Sequence, residues 1–149
     1  MALALREQVR RRAKNCCEYC QMPQSCTRLP HEVDHIRARK HRGPTKLGNL
    51  GWCCAHCNNR KGSDVSAYIP NTDELVRLFH PRRDKWHDHF EWDGPVLRGK
   101  TGIAEATIEL LKINSDSRVG HRRMLIDLGL FPAAVSAIGT RRRGRTRGR

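Results

Sequence analysis

Apolar residues come in short bursts along this chain. Leu5, Val9 and Ala13 repeat every four residues, which predicts a helix over residues 2–14, with Arg6, Arg10, Arg11 and Arg12 mostly on its other faces. Residues 31–36, HEVDHI, predict a short strand with Val33 as its apolar point, and residues 49–53, NLGWC, predict a second. Residues 55–62 suit a short helix stopped by Gly62. Between these lie a Pro-containing loop at 21–30 and a basic loop at 37–48, broken by Gly43-Pro44. Further on, Pro70 to Asp73 is a turn signal, and LVRLF (75–79) and VLRG (96–99) are strand candidates. Trp86, Phe90 and His89 have helical spacing within residues 83–92. Thr101 is placed to cap a helix carrying Ile103, Ala104, Ile108 and Leu111, and another helix is predicted from Asp116 to Leu128, before Gly129. The mixture of short strands and helices, without internal repeats, predicts an α+β fold.

Composition sets the scale of the core. A chain of 149 residues suggests one domain with a small appended part. With 38% hydrophobic and 5% aromatic residues, its core is modest and a metal staple would help to hold it. The net charge of +14 points to a polyanionic partner, first of all nucleic acid. The last nine residues, RRRGRTRGR, contribute six arginines and are expected to be disordered; without them the chain still carries +8. No run of 18 apolar residues predicts a membrane span, and the N-terminal apolar stretch is too short for a signal peptide, so an intracellular, cytoplasmic setting is expected. In that setting, paired cysteines are metal ligands rather than disulfides.

Cys17-x-x-Cys20 and Cys54-x-x-Cys57 are separated by 33 residues. Two such pairs build a closed, four-thiolate tetrahedral site, structural in character, for which Zn²⁺ is the leading ion and iron an alternative. Cys16 and Cys53 adjoin ligand positions, and Cys26 is a spare thiol. Asp34-His35 offers a carboxylate able to hold a hard cation and an imidazole able to take a proton from water. Adjacent residues on a regular strand face opposite ways, so the two serve one site only where the strand ends or twists. Taken singly, Asp34-His35, Asn49 and Asn58 each have an ordinary structural reading.

Together these residues resemble the HNH endonucleases of the ββα-metal (His-Me finger) class, in the subgroup with paired CxxC zinc knuckles. The resemblance rests on Cys17-x-x-Cys20, Val33-Asp34-His35-Ile36, Gly48-Asn49-Leu50 and Cys54-x-x-Cys57-Asn58-x-x-Lys61-Gly62, and covers about residues 15–65. It implies a β-hairpin with a long loop, packed on a helix, with one divalent cation between them. It implies His35 as general base, Asn49 as the residue orienting it through the hairpin backbone, and Asp34 and Asn58 as ligands of a catalytic Mg²⁺ or Mn²⁺. Asn58 stands where many members have a histidine, an H-N-N variant.

DNA is then the implied partner, with neither a membrane nor a small-molecule cofactor, and the oligomeric state stays open. Arg37, Arg39, Lys40, Arg42 and Lys61 are the candidate phosphate contacts, with simple solvent exposure an equal reading for Lys61 and a position facing nucleic acid the less favoured reading of His31. The implied organisation is a basic helix at 1–14, the finger at 15–65, a small α/β extension packing on it at 66–129, and a basic tail at 130–149. In the extension, Arg82, Arg83 and Lys85 are candidate DNA contacts, while His80, His87 and His89 read as core or surface histidines in preference to a second metal site. A metal-dependent endonuclease acting on DNA explains every feature. A zinc-stapled nucleic-acid-binding module without catalysis explains the charge and the cysteines alone.

Overall fold

A computed structural model describes residues 1–132. The predicted tail thus lies almost wholly outside the described residues. Helix α1 (Leu3–Arg12) precedes an irregular knuckle that carries Cys17 and Cys20. Strands β1 (Glu32–His35) and β2 (Leu50–Cys53) pair antiparallel, with Glu32 opposite Cys53 and His35 opposite Leu50. Helix α2 (Ala55–Lys61) follows at once and ends at Gly62, whose φ of 51° lies in the region that glycine tolerates best. Two more hairpins come next, β3 (Ser66–Tyr68) with β4 (Leu75–Arg77), and β5 (Phe90–Asp93) with β6 (Val96–Gly99). A one-turn helix α3 (Trp86–His89) leads into β5. Helices α4 (Gly102–Leu110) and α5 (Asp116–Asp127) close the described chain. The fold is a mixed α/β one, with three small antiparallel sheets among helices in the described residues.

Strand alternation sorts the first hairpin into two faces. Val33, Leu50 and Trp52 point to one, where they pack with Val9, Leu5 and Ala13 of α1 and its end. Val9 and Leu50 are wholly buried there. Glu32 and Asp34 point to the other, where their side chains bond to α2 through Asn58 and Lys61. The two helices therefore sandwich a hairpin too small to stand alone. Two arginines of α1 are structural rather than solvated. Arg6 lies 4.8 Å from the Trp52 ring centroid and donates to the His31 carbonyl, while Arg12 donates to the carbonyls of Leu47 and Leu50.

The larger core joins the knuckle to the C-terminal half. Tyr19, Met22, Phe79, Phe90, Leu97, Leu111 and Leu125 pack around Cys17, Cys20, Cys54 and Cys57. Trp86 and Trp92 reach the knuckle with their indole N–H groups, donating to Tyr19 O at 2.9 Å and Gln21 Oε1 at 2.8 Å. Thr101 caps α4 as its position predicts, accepting from Ala104 N at 3.1 Å. The helical pattern read over 83–92 covers only α3; from Phe90 onward the chain is extended, because pairing with Val96–Gly99 wins over a weak helical period. Strand β3 has no clear signal in the sequence and forms because β4 offers it an edge.

With cysteines at its centre, this core is expected to depend on metal. Elemental analysis of the purified protein should find about one zinc per chain, and Cys20→Ser should abolish the cooperative thermal transition. A fully folded protein free of zinc and iron is the result that rejects this.

Candidate functional site

Four sulfurs converge where α2 starts. The Sγ atoms of Cys17, Cys20, Cys54 and Cys57 lie within 4.8 Å of one another, and all four residues are buried. The Cys20 and Cys54 sulfurs are 3.7 Å apart. A disulfide needs about 2.05 Å, whereas a tetrahedral ion with Zn–S bonds of about 2.3 Å sets its sulfurs about 3.8 Å apart. The residues therefore fit a zinc ion. Cys54 also caps α2, its Sγ accepting from Cys57 N. The neighbouring Cys53 is buried, which pushes its thiol up to about 11, and its sulfur lies outside the four-sulfur set. Cys16 and Cys26 are half-buried and also outside it. Among the described residues the one group of converging ligand atoms is the cysteine set, and it includes none of His80, His87 and His89. His56, between two of the cysteines, turns away from the hairpin and donates to the carbonyls of Leu111 and Lys112.

On the α2 face of the hairpin, Asp34 is only 4% exposed. Its Oδ2 accepts from the Tyr19 hydroxyl at 2.8 Å and its Oδ1 from Lys61 Nζ at 3.2 Å. Burial raises the Asp34 carboxyl above its ordinary value, against the pull of Lys61 and Tyr19. Lys61 is 2% exposed and also donates to the His35 carbonyl. This corrects the sequence-based placement of Lys61 at a phosphate. It is one turn from Asn58, yet α2 lies flat on the hairpin and that turn faces inward. Asn58 is half-buried, and its amide nitrogen donates to Glu32 Oε2 at 2.9 Å.

His35 is the last residue of β1, and its side chain turns to the connecting loop. Its Nε2 lies 2.9 Å from Thr45 Oγ1. Burial, followed by the nearby Arg39 charge, lowers its pKa below the usual histidine value. Asn49 sits at the other end of the loop, 8% exposed. Its side chain accepts from Arg37 N and donates to the carbonyls of Arg37 and Pro44, and its own carbonyl accepts from Ile36 N. These bonds clamp the backbone on the C-terminal side of His35. The loop between closes tightly, because a Cβ on Gly43 would lie 1.7 Å from the Arg37 carbonyl oxygen.

Arg37, Arg39, Lys40 and Arg42 are exposed along this loop. Beside it opens a cleft of about 540 Å³, edged by Arg37, His41, Lys46, His80 and Arg83 over a floor that includes Phe79. His35 lies next to this cleft in the chain without lining it. Two sequence-based contacts move inward. His31 is fully buried, donating from Nε2 to the Met22 carbonyl, because the knuckle folds over it. Arg82 pairs with Glu18, whose other oxygen accepts from Trp52 N, so it braces the knuckle against β2. Arg83 and Lys85 remain exposed.

Tyr19, Thr45 and Glu32 were not legible as site residues. Tyr19 is a spacer of the first cysteine pair, Thr45 an ordinary loop residue and Glu32 an ordinary strand residue. Only the fold brings each beside Asp34, His35 or Asn58.

Among the described residues no helix is long and apolar enough to cross a membrane. No curated protein and no solved structure matches this chain. Residues 17–64, which contain both cysteine pairs, the hairpin and α2, match the family model of the HNH endonuclease.

Proposed function

We propose that this chain is a metal-dependent endonuclease that hydrolyses phosphodiester bonds in DNA, with His35 as the general base. The observation that carries the reading is the environment of His35 within the matched segment: an imidazole of lowered pKa at a strand end, beside an exposed basic loop. In the tautomer whose Nε2–H donates to Thr45, the other ring nitrogen keeps its lone pair and has no bond from the described residues. That nitrogen takes the proton from the attacking water. Asn49 is the positioning residue, holding the backbone that carries His35. Arg37, Arg39, Lys40 and Arg42 orient the phosphates without reading sequence.

Asp34 and Asn58 are the proposed ligands of a catalytic cation. Their donors, a carboxylate and an amide carbonyl, suit Mg²⁺ or Mn²⁺. Tyr19 and Lys61 use one site on each Asp34 oxygen, which leaves others for a cation, and the Asn58 carbonyl oxygen carries no bond from the described residues. When bound, such a cation polarises the phosphate and stabilises the departing alkoxide. The buried Asp34–Lys61 pair equally suits a second reading, a zinc-stapled nucleic-acid-binding module without catalysis.

His35→Ala separates the two. Nicking of supercoiled plasmid in Mg²⁺ or Mn²⁺ should fall by about 10² to 10⁴, with zinc content and gel-shift affinity unchanged. Wild-type protein that never nicks, with or without EDTA as control, favours the binding module. Because His35 has a lowered pKa and must be neutral to act, the acid limb of kcat/KM should fall below about pH 6.5, the ordinary histidine value. A limb above that value contradicts the assignment.

Lys61→Met should cost about 3–5 kcal/mol in urea unfolding, since it strands a buried carboxylate. Burial already raises the folded-state pKa of Asp34, so the folded state binds that proton more tightly. The loss should therefore shrink as pH falls into the carboxylate range. Adding Asp34→Asn should recover much of it.

A further inference from the structure

Two arginines of α5 enter the protein with no carboxylate to meet them. Arg118 is half-buried, and its Nη2 lies 3.5 Å from both Cys20 Sγ and Cys54 Sγ. Arg122, one turn further along the same face, is 0% exposed. It donates from Nε to the Pro95 carbonyl and from Nη2 to the Ile113 carbonyl and Asn114 Oδ1, and stands 5.1 Å from the Trp92 ring centroid. All of these partners are neutral. Neither guanidinium forms a salt bridge among the described residues, and Arg118 Nε and Arg122 Nη1 are buried without a hydrogen bond. A buried cation with only neutral partners is costly to keep.

The missing charge is supplied by the cysteines. Four thiolates around a divalent ion carry a net charge of −2, and the two arginines carry +2. We propose that Arg118 and Arg122 are the built-in counter-cations of a zinc–tetrathiolate dianion. Arg118 donates to two of its sulfurs, and Arg122 neutralises the remainder from the next turn. Helix α5 is then docked by the metal's charge as well as by Leu125, and the C-terminal half becomes part of the zinc site. N–H donors to thiolate sulfur, and the outer shell generally, stabilise a metal site by fixing its ligands and balancing their charge.

This inference concerns metal and is independent of whether His35 cuts DNA. The test follows zinc release from the intact, zinc-loaded full chain to the chromogenic chelator 4-(2-pyridylazo)resorcinol. Arg118→Met should release zinc about 10- to 100-fold faster than wild type. Arg118→Lys, which keeps the charge, should stay much closer to wild type than Arg118→Gln, which keeps a donor but not the charge. Arg122→Met should also accelerate release. Should Arg118→Met fail to fold, the Lys and Gln pair carries the comparison. Equal release from Arg118→Lys and Arg118→Gln, or wild-type release from Arg118→Met, overturns the proposal, as does protein that purifies without zinc.

Discussion

Four cysteine sulfurs brought within 4.8 Å of one another, inside a core of few large apolar residues, are the constraint on which the rest of this molecule depends. As thiolates, sulfurs packed so closely repel one another in a low dielectric. A divalent cation held by all four would turn this repulsion into a stabilising set of bonds. The first pair lies in the knuckle after α1, and the second straddles the start of α2. Closing the cluster therefore fixes the knuckle against the hairpin's own helix. Tyr19, a spacer of the first pair, is thereby held with its hydroxyl on Asp34.

Asp34 and His35 illustrate how one strand serves two chemistries. Alternation sends Asp34 into the α2 face, where Tyr19 and Lys61 compensate its charge. Strand β1 stops at His35, which frees the imidazole to turn to the loop. Lys61 joins the two residues, bonding the Asp34 carboxylate and the His35 carbonyl with one ammonium. The backbone that leaves His35 is thus anchored twice, by Lys61 at the His35 carbonyl and by Asn49 just beyond it. For the base role proposed for His35, such anchoring would limit the reorganisation needed at proton transfer.

The strong positive charge divides into two populations. Arg37, Arg39, Lys40 and Arg42 face solvent and are available to phosphate. Arg6, Arg12, Arg82, Arg118, Arg122 and Lys61 are spent internally, on carbonyls, an aromatic face, carboxylates and sulfur. Net charge therefore indicates the class of partner but overstates the basic surface of the folded part. Long side chains with planar, multivalent donors suit this internal use, since one guanidinium satisfies several acceptors at once.

By itself the sequence determined the elements with strong local periodicity or capping: α1 from Leu5, Val9 and Ala13, α2 from its glycine stop, α4 from Thr101, and the first hairpin from two short apolar runs. It also singled out the four cysteines that come together, because a two-residue gap is a local geometric statement, while the meeting of the two pairs is left to the fold. Tertiary structure alone decided the orientation of single polar side chains. Lys61 and His31 read as surface residues until α2 and the knuckle covered them, and Arg82 until Glu18 met it. The partners Tyr19, Thr45, Arg118 and Arg122 were invisible for the same reason. A short-range pattern encodes which face of an element is apolar, whereas the burial of a charge depends on a compensating group from elsewhere in the chain. That group is found only when the fold brings it there.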